Sequence, residues 1–470
     1  MTGDILYLDA DPGVRRLGDG RVLLGGSPLR VLRLSDPAAR LVHGWWAGDP
    51  VGPAPRHRAL ADRLVDAGLA HPRRESGGPT AADVTAVVPV RDHAAALARL
   101  LPALDGLATV VVDDGSRTPL PGATVRHDRP RGAAAARNTG WRLAGTDLVA
   151  FLDADVTPEP GWLDPLLRHF ADPRVVAVAP RVCSTAGPTL LQRYERARPS
   201  LDMGEVGAVV RPWSRVPYLP TATLLVRVSA LKELDGFAED MLVGEDVDLV
   251  WRLVAGGGRV RYEPASRVRH ATRPDWRAWA RQRFTYGSSA APLALRHGTA
   301  VTPVKVSPWS GVAWAAIALG RPRAGLAVAG VTAALLPRKL AAVGVPAGES
   351  LRLAVLGHLG AGRLLADALV RAWGPVAVPG LLASRRGRLV LAAVLARHVR
   401  DWQRQRPDVD LLRWVALRLA DDLTHGAGVC WGALRHRTLA PLLPDLAGWP
   451  GRDGVDERPA DPRAAGESGR

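Results

Sequence analysis

The sequence predicts an α/β domain in which helices cover both faces of a parallel sheet, preceded by a small winged-helix-like unit and followed by a helical region. Between residues 84 and 153, short runs that are nearly all apolar alternate with helical patterns, which is typical of a parallel sheet. After His270 the composition changes to helices rich in Ala, Leu, Gly and Trp. A chain of 470 residues also exceeds the roughly 250 to 300 residues of one hydrophobic core, so we expect two or three units.

The amino-terminal segment is predicted to contain short strands and two helices. The strands are Arg21–Leu24 and Leu29–Leu34, and Ser35 or Asp36 caps the first helix. We predict five segments: a winged-helix-like unit over 1–75, a polar linker over 76–82, the α/β domain over 83–300, the helical region over 301–450 and a disordered tail over 451–470. The tail is predicted to be disordered because it lacks large apolar residues except Val455.

The α/β segment is predicted to place acidic residues at the ends of its strands. The predicted strands are Val84–Val90, Thr109–Asp113 and Leu148–Asp153, and the predicted helices lie near His93–Leu104 and Ala133–Ala144. Ligands of such sheets bind beyond the carboxyl ends of the strands. We therefore expect one cleft to contain Asp113, Asp114, Asp153 and Asp155.

Charge and cysteine usage limit the classes of partner. The 62 basic and 46 acidic residues give a net charge of +16, which suits a phosphorylated substrate, an anionic membrane surface or nucleic acid. The Arg residues are scattered and no recognition helix is evident near Leu60, so we expect no nucleic acid partner. Cys183 and Cys430 indicate a reducing compartment, and Met1–Asp9 does not resemble an export signal. We expect a cytoplasmic protein.

Two charge-free runs follow the α/β segment. Val306–Gly320 and Ala324–Pro337 each have about fifteen residues, fewer than the roughly twenty that a membrane-spanning helix needs. Arg321 and Arg323 lie between them, and Trp309 lies in the first run. These features favour contact with the anionic cytoplasmic face of the cell membrane. A buried helical core and a membrane hairpin are the alternatives.

Three acidic motifs carry the chemistry. Asp153 and Asp155 end an apolar strand, and two carboxylates in such a turn suit Mg²⁺ or Mn²⁺ bridging a diphosphate. The other two motifs are Val112-Asp-Asp-Gly-Ser116 and Gly244-Glu-Asp246. With the Gly-Ala-Ala-Ala-Ala-Arg-Asn run at 132–138 and Asp-Gly-Phe at 235–237, they resemble the inverting glycosyltransferases of family 2, which have the A-type nucleotide-sugar-binding fold. The resemblance covers about Val84–Arg273, and the layout of the whole chain is similar to glycosyltransferases of the mycofactocin system.

The resemblance implies a UDP-sugar donor bound with Mg²⁺ or Mn²⁺. Asp155 and His270 are then the expected metal ligands. The guanidinium of Arg137 matches phosphate oxygens in shape. His93 departs from the Asn-Glu pair that is common in the family, and we assign it no role. The residues expected to bind the nucleotide sugar are Pro89, Asp113, Asp114, Arg137, Asp153 and Arg283.

The resemblance also implies the acceptor side of the reaction. Inversion requires a carboxylate opposite the leaving diphosphate, and Asp246 is the expected base. Glu245 is expected to bind the acceptor or to orient Asp246, and Thr221 and Phe284 are expected on the acceptor side. The segment 280–284 lacks the Gln of the processive family motif Gln-x-x-Arg-Trp, which argues against long-chain synthesis.

The implied acceptor is a small peptide-derived redox cofactor that receives β-linked glucose, and the amino-terminal unit would recognise a peptide or a pathway protein. An alternative keeps the chemistry but transfers the sugar to a lipid or a cell-surface polysaccharide at the membrane. A third interpretation is a DNA-binding regulator fused to a degenerate sugar sensor. The intact acids, Asp155 and Asp246 above all, argue against it.

Overall fold

A computed structural model describes residues 5–75, 77–273 and 275–446. The predicted tail over 451–470 and the linker residue Ser76 lie outside the described residues. The chain divides into two compact units: one is Met1–Ser76 with Val304–Asp367 and Pro444–Arg470, and the other is Gly77–Pro303 with Ala368–Leu443.

The amino-terminal part of the first unit has two small sheets and two helices. Its elements are β1 (Leu6–Ala10), β2 (Arg15–Leu17), β3 (Val22–Gly25), β4 (Arg30–Arg33), α1 (Asp36–Ala47), α2 (Pro55–Asp66) and β5 (Ala70–Arg74). β1 pairs with β5, and β2, β3 and β4 form an antiparallel sheet. The Oγ atom of Ser35 accepts from the Ala38 N–H at 3.4 Å, so α1 begins with the cap that the sequence predicts.

The second unit contains the α/β domain. Its elements are β6 (Val84–Val90), α3 (Ala94–Leu100), β7 (Ala108–Asp113), β8 (Val125–Arg126), α4 (Ala133–Arg142), β9 (Leu148–Leu152), β10 (Val156–Pro158), α5 (Leu163–Leu167), β11 (Val175–Ser184), α6 (Leu190–Ala197), β12 (Ala208–Val209), β13 (Thr223–Arg227), α7 (Val228–Glu233), α8 (Glu245–Ala255), β14 (Arg259–His270), α9 (Trp276–Ser288) and α10 (Ala290–His297).

The sheet is mixed rather than purely parallel. Its order is β10-β14-β11-β13-β9-β6-β7-β8, with β12 paired to β14. β6 runs parallel to β7 and β9, whereas β13 runs antiparallel to β9 and β11. The parallel pairing predicted for residues 84–153 is therefore correct, and the antiparallel pairs of the sheet involve strands after residue 153, although β11 and β14 there also run parallel. β13 is buried on both faces. A strand buried on both faces is nearly all apolar whether it runs parallel or antiparallel to its neighbours, so its sequence does not indicate its direction.

Helices cover both faces of the sheet. Successive strand side chains point to opposite faces, so Val87 packs in the cluster that includes Trp141 of α4, and Val88 packs in the cluster that includes Leu97 of α3. A Cβ atom on Gly140 would lie 2.3 Å from Val87 Cγ1, so glycine is required where α4 crosses β6. This packing fixes the helix that carries Arg137.

The helical region follows. Its helices are α11 (Pro308–Ala318), α12 (Pro322–Ala341), α13 (Ala347–Arg371), α14 (Gly374–Leu382), α15 (Arg385–Gln405) and α16 (Leu411–Arg435). In the first unit, Val22 of β3 forms a core cluster with Leu340 and Val345, and Arg15 pairs with Glu349 at 3.0 Å. The turn between α12 and α13 thus packs on the β2-β3-β4 sheet.

In the second unit, α16 packs closely on α9. A Cβ atom on Gly428 would lie 2.0 Å from the Phe284 carbonyl oxygen, and one on Gly287 would lie 2.0 Å from the His425 carbonyl oxygen. Real Cβ atoms do not approach backbone oxygen so closely, so both glycines permit the contact between the two helices.

Candidate functional site

Asp153, Asp155 and His270 form a cluster suited to a divalent cation. Their ligand atoms all lie within 4.8 Å of one another. The cluster is set by strand pairing, because Val156 of β10 lies opposite His270 at the end of β14. His270 Nδ1 donates to the Ala271 carbonyl at 2.9 Å, which directs Nε2 toward Asp155 Oδ1, 3.4 Å away. Two carboxylates and one imidazole fit Mg²⁺ or Mn²⁺, and Mn²⁺ accepts imidazole more readily.

Arg137 connects this cluster with the start of α8. Its Nη2 donates to Asp153 Oδ1 at 2.8 Å, and its Nη1 donates to Glu245 Oε1 at 2.8 Å. Burial alone would lower the pKa of Arg137, but the charges and hydrogen bonds of Asp153 and Glu245 outweigh it and raise the pKa. The buried Nε atom has no hydrogen-bond partner among the described residues. Arg137 is therefore a fixed positive charge between two acids.

Asp246 lies beside this bridge, in the first turn of α8. Gly244 precedes the helix with φ of 83°, and a Cβ atom there would lie 3.0 Å from Ser289 Cβ. Burial and the negative charge of Glu245 raise the pKa of Asp246 to about 7, against the opposing effects of the Val247 N–H and Arg137. A carboxyl group with a pKa near neutral can accept a proton from a reacting hydroxyl.

Asn138 explains why two of the sequence motifs occur together. Its side chain donates to the Phe237 carbonyl at 2.9 Å and accepts from the Phe237 N–H at 2.9 Å. A Cβ atom on Gly236 would lie 2.3 Å from Asn138 Oδ1. The Arg-Asn pair of α4 and the Asp-Gly-Phe segment therefore pack as one structure, next to Arg137.

Two tyrosines near Asp246, and an Arg-His pair of which the Arg acts on one of them, did not emerge as candidates from the sequence. Burial and the charge of Asp246 raise the pKa of Tyr218 to about 12, and burial with Asp246 also raises the pKa of Tyr286. Arg371 acts electrostatically on Tyr218, and its Nη2 lies 3.3 Å from His425 Nδ1. Burial and Arg371 lower the pKa of His425 well below its ordinary value. No motif marks Arg371 and His425, because they lie about 130 and 180 residues after Asp246.

The acids after β7 hold loops in place. Asp113 has no exposed surface and accepts from the N–H groups of Ser116 at 2.8 Å and Leu120 at 3.2 Å, as well as from Arg126. Burial opposes its ionisation, but these bonds outweigh burial and lower the pKa of Asp113. The predicted contact of the Asp113 side chain with the nucleotide sugar does not fit this structure, because these partners enclose its carboxylate.

Asp114 accepts from the N–H groups of Arg131 and Gly132 at 2.8 Å each, just before α4. It also contacts His127 Nδ1 at 2.8 Å, and only 5% of its surface is exposed. Pro89 lies near the end of β6, opposite Val112 of β7. Pro89 and the acids at the end of β7 thus lie close together. The Asp114 carboxylate, however, binds the backbone of the loop that precedes α4.

Arg283 is also placed differently from the prediction. It is 2% exposed, and its Nη2 pairs with Glu195 at 2.9 Å while its Nε pairs with Asp421 at 3.1 Å. The predicted contact of Arg283 with the nucleotide sugar does not fit, because its guanidinium links α6, α9 and α16 inside the protein. Phe284 is half-buried on α9, and Thr221 is buried just before β13.

Comparisons with known proteins agree with these motifs. Residues 85–235 match the model of Glycosyl transferase family 2. The chain is 42% identical over 468 residues to the pre-mycofactocin glycosyltransferase of Mycobacterium tuberculosis, covering 94% of this chain and 98% of that protein. A probable polypeptide N-acetylgalactosaminyltransferase 8 of Homo sapiens is 32% identical over 170 residues, which are 32% of this chain and 26% of that protein.

Among solved structures, the mannosyltransferase PcManGT from Pyrobaculum calidifontis in complex with GDP-Man and Mn²⁺ covers 76% of this chain and 91% of its own, at a TM-score of 0.42 and 18% identity. The assignment to a family rests on the match to the family model and on the pre-mycofactocin glycosyltransferase, which is matched over nearly its whole length. The chain is a glycosyltransferase and belongs to family 2.

Proposed function

We propose that this enzyme moves a hexose, glucose by family analogy, from a UDP-sugar to a small peptide-derived acceptor with inversion at the anomeric carbon. The observation that carries the proposal is the Arg137 bridge, which joins the candidate metal ligand Asp153 to Glu245, next to Asp246. Donor-side and acceptor-side acids are thus held in one rigid arrangement.

On the donor side, Asp153, Asp155 and His270 would hold Mg²⁺ or Mn²⁺. A bound divalent cation would neutralise charge on the leaving diphosphate. Arg273 is the better candidate than Arg283 for a phosphate contact, because its side chain is 34% exposed and its Nη1 lies 3.9 Å from Asp155 Oδ2. Arg137 keeps its charge in this environment and adds a second positive group.

On the acceptor side, Asp246 is the proposed base. It takes the proton of the acceptor hydroxyl as that oxygen attacks the anomeric carbon, and the bond from the anomeric carbon to the diphosphate oxygen breaks on the opposite face. Glu245, bound by Arg137 at 2.8 Å, lies beside Asp246 and raises the pKa of Asp246. Thr221 and Phe284 remain proposed contacts of the acceptor.

For the acceptor we propose the precursor of mycofactocin or its glucoside, with the product a β-linked glucoside. The support is a relative named for pre-mycofactocin, matched over 98% of its length. The amino-terminal unit is proposed to contact a peptide or a pathway protein in the cytoplasm. A lipid or polysaccharide acceptor at the membrane is the second candidate, favoured by two apolar helices that are only 17% buried.

The test is transfer by the purified full chain with MnCl₂ or MgCl₂. UDP-glucose, UDP-galactose and UDP-N-acetylglucosamine are supplied separately, with GDP-mannose as a contrasting donor, and pre-mycofactocin is followed by mass spectrometry. We expect a hexose added from UDP-glucose and no addition by Asp246→Asn. Release of UDP without a mass change would retain the donor assignment and reject the acceptor. Equal activity in Asp246→Asn would reject the base.

A further inference from the structure

Helices α6, α9 and α16 of the second unit enclose a set of charged side chains. Five of these side chains belong to residues that are at most 5% exposed: Glu195, Arg283, Arg418, Asp421 and Asp422. Arg283 pairs with Glu195 at 2.9 Å and with Asp421 at 3.1 Å. Arg371, at the end of α13, donates through Nη1 to Asp422 Oδ1 at 3.0 Å. Each of the three carboxylates therefore has an arginine partner.

Two further arginines adjoin this set without a carboxylate of their own. The buried Nε atom of Arg418 has no hydrogen-bond partner among the described residues. Arg198 follows the last residue of α6, where its backbone N–H donates to the Tyr194 carbonyl at 2.9 Å. The side chain of Arg198 makes no hydrogen bond or ion pair with the part of the chain that the structure describes. The set thus contains more arginines than carboxylates, and its net charge is positive.

Arg198 lies in an open cleft. The residue is exposed, yet burial lowers the pKa of its guanidinium, and the charges of Arg418 and Arg371 lower that pKa further. A charge that neighbouring protein desolvates, on a residue that keeps contact with solvent, is characteristic of a concave surface. An unpaired arginine therefore lies in a cleft within the electrostatic reach of two others.

Arg371 is a second arginine that a ligand can reach. Its side chain is 42% exposed, and its Nη2 donates to His425 Nδ1 at 3.3 Å. Burial, together with Arg371 and Arg283, lowers the pKa of His425 well below its ordinary value, so this imidazole is neutral and accepts the bond. A guanidinium has five N–H donors, and the bonds to Asp422 and His425 use two of them. Arg371 is therefore held in place with donors left for a ligand.

The contacts of Arg371 place it near the proposed base. Its partner His425 packs on α9, because a Cβ atom on Gly287 would lie 2.0 Å from the His425 carbonyl oxygen. Gly244, two residues before Asp246, packs at the same end of α9, where a Cβ atom would lie 3.0 Å from the residue that follows the helix. Arg371 and Asp246 thus approach one end of α9 from two different helices.

Tyr218 connects the two residues electrostatically. It is half-buried, burial and Asp246 raise its pKa to about 12, and Arg371 opposes this rise. The hydrogen bonds that the structure describes for the Arg371 side chain go to Asp422 and His425, neither of which is a candidate metal ligand. The positive cleft is therefore close to the proposed base and separate from the donor side of the site.

We propose that Arg198, Arg371 and Arg418 form a binding site for an oxyanion, a carboxylate or a phosphate group, on the acceptor side of Asp246. Guanidinium groups present paired N–H donors that match the adjacent oxygen atoms of such a group, and a bound anion would neutralise the excess positive charge. The oxyanion is either a group of the acceptor or a free phosphate ion. Only the placement on the acceptor side rests on the proposed function, because binding is measured without donor or acceptor.

The first test is thermal unfolding of the full chain in sodium phosphate, compared with sodium chloride of equal ionic strength, with EDTA and without nucleotide. We expect about 10 mM phosphate to raise the melting temperature by roughly 2 °C or more, since it binds the folded state. Phosphate also stabilises many proteins because it is excluded from their surfaces. The deciding quantity is therefore the difference between variants.

Arg198→Gln is the main variant, because it removes no side-chain contact that the structure describes. Without phosphate it should melt at or above the temperature of the unaltered chain, since it relieves repulsion between arginines. With phosphate it should lose most of the rise. The matched control is Arg196→Gln on the same helix, an exposed residue whose Nη2 lies 3.9 Å from Asp408, and it should keep the rise.

Arg273→Gln, on the donor side, should also keep the rise. An equal rise in Arg198→Gln and the unaltered chain would overturn the proposal, as would the absence of any rise. A rise that is lost in Arg273→Gln and kept in Arg198→Gln would place the phosphate on the donor side and reject the site.

The second test identifies the source of the oxyanion, through transfer from UDP-glucose to pre-mycofactocin with MgCl₂. If the acceptor carries the bound group, phosphate competes with the acceptor, and Arg198→Gln raises the KM of the acceptor by about tenfold or more with a smaller change in kcat. If a free ion binds, phosphate changes kcat in the unaltered chain and not in Arg198→Gln. Phosphate that stabilises the chain but leaves transfer unchanged would overturn the placement beside Asp246.

Discussion

The Nη1 atom of Arg137 lies 2.8 Å from the Oε1 atom of Glu245. Through its other terminal nitrogen the same guanidinium binds Asp153, so one side chain joins an acid of the candidate metal site to the helix whose first turn carries the proposed base. Arg137 is only 4% exposed. Replacing it would leave the carboxylates of Asp153 and Glu245 without their positive partner, on the donor side and on the acceptor side of the site.

The first prediction concerns the shape of this bridge. Lys at position 137 keeps the charge but cannot donate in two fixed directions. We expect Arg137→Lys to lower kcat/KM by about 100-fold, or close to 3 kcal/mol. Arg142→Lys, an exposed change on the same helix, should alter it by less than about twofold. Steady-state kinetics with UDP-glucose measure both, and equal effects would refute a special role for the bridge.

The second prediction concerns the pH dependence of transfer. Asp246 must be ionised to accept a proton, and its pKa is about 7. The rate should therefore rise with pH, with a midpoint near 7, and Asp246→Asn should remove the rise together with at least about 1,000-fold of activity. A pH profile of kcat/KM between pH 5 and 9 measures this. A flat profile in the unaltered enzyme would contradict the assignment.

The third prediction concerns stability. The folded state raises the pKa of Asp246 from 3.8 to about 7, so it binds the proton more tightly than the unfolded chain. Stability contributed by the protonated group is therefore lost as pH rises from about 4 to 7. Asn cannot ionise, so Asp246→Asn should exceed the unaltered protein in free energy of unfolding by on the order of 1 to 3 kcal/mol at pH 8 and by little at pH 4. Urea unfolding at both values tests the sign.

The fourth prediction concerns the candidate metal site. Mn²⁺ should raise the melting temperature by binding the folded state, and Asp155→Ala should abolish this rise because it removes one of three clustered ligands. Asp105→Ala, an exposed carboxylate elsewhere, serves as the control and should keep the rise. Thermal melts with and without MnCl₂ provide the measurement. A rise that survives Asp155→Ala would place the ion elsewhere.

The fifth prediction concerns the contact between α9 and α16. Gly428→Ala forces a methyl group to within 2.0 Å of the Phe284 carbonyl oxygen, so it should destabilise the protein by roughly 1 to 3 kcal/mol. Gly330→Ala on α12 meets no atom within 4 Å and should be neutral or stabilising by up to about 1 kcal/mol. Chemical unfolding of both variants distinguishes steric conflict from a general effect of glycine replacement.

Much of the α/β half could be predicted because each element carries a strong local signal. Val84–Val90 is apolar except for Thr85, and the structure gives β6 the same bounds. The sequence of β13 does not indicate whether the strand runs parallel or antiparallel to its neighbours. Both faces of β13 are buried, so it lacks the alternation of apolar and polar residues that is typical of an antiparallel strand with one face in solvent. The cluster of Val22 with Leu340 and Val345 was also beyond prediction, because no local pattern marks contacts across three hundred residues.

The site was predictable to the extent that it depends on short motifs. Asp153, Asp155 and His270 come together as carboxylates and imidazole do in metal sites. For Asp113 and Arg283 the residue type suggested ligand binding, whereas internal partners occupy both side chains. A carboxylate or guanidinium has the same chemistry in a loop, in a helix contact or against a ligand, so only its surroundings distinguish these roles.

The pairing of Val156 with His270 has a further consequence for how this protein tolerates change. Removing one residue from β14 would turn the imidazole to the opposite face of the sheet, since side chains alternate along a strand. Such a deletion in β14 would remove the His270 imidazole from the candidate metal site although every acid stays in place. The length of that strand therefore shapes the candidate metal site as much as the acids do, and a measured Mn²⁺ affinity would report whether the strand is intact.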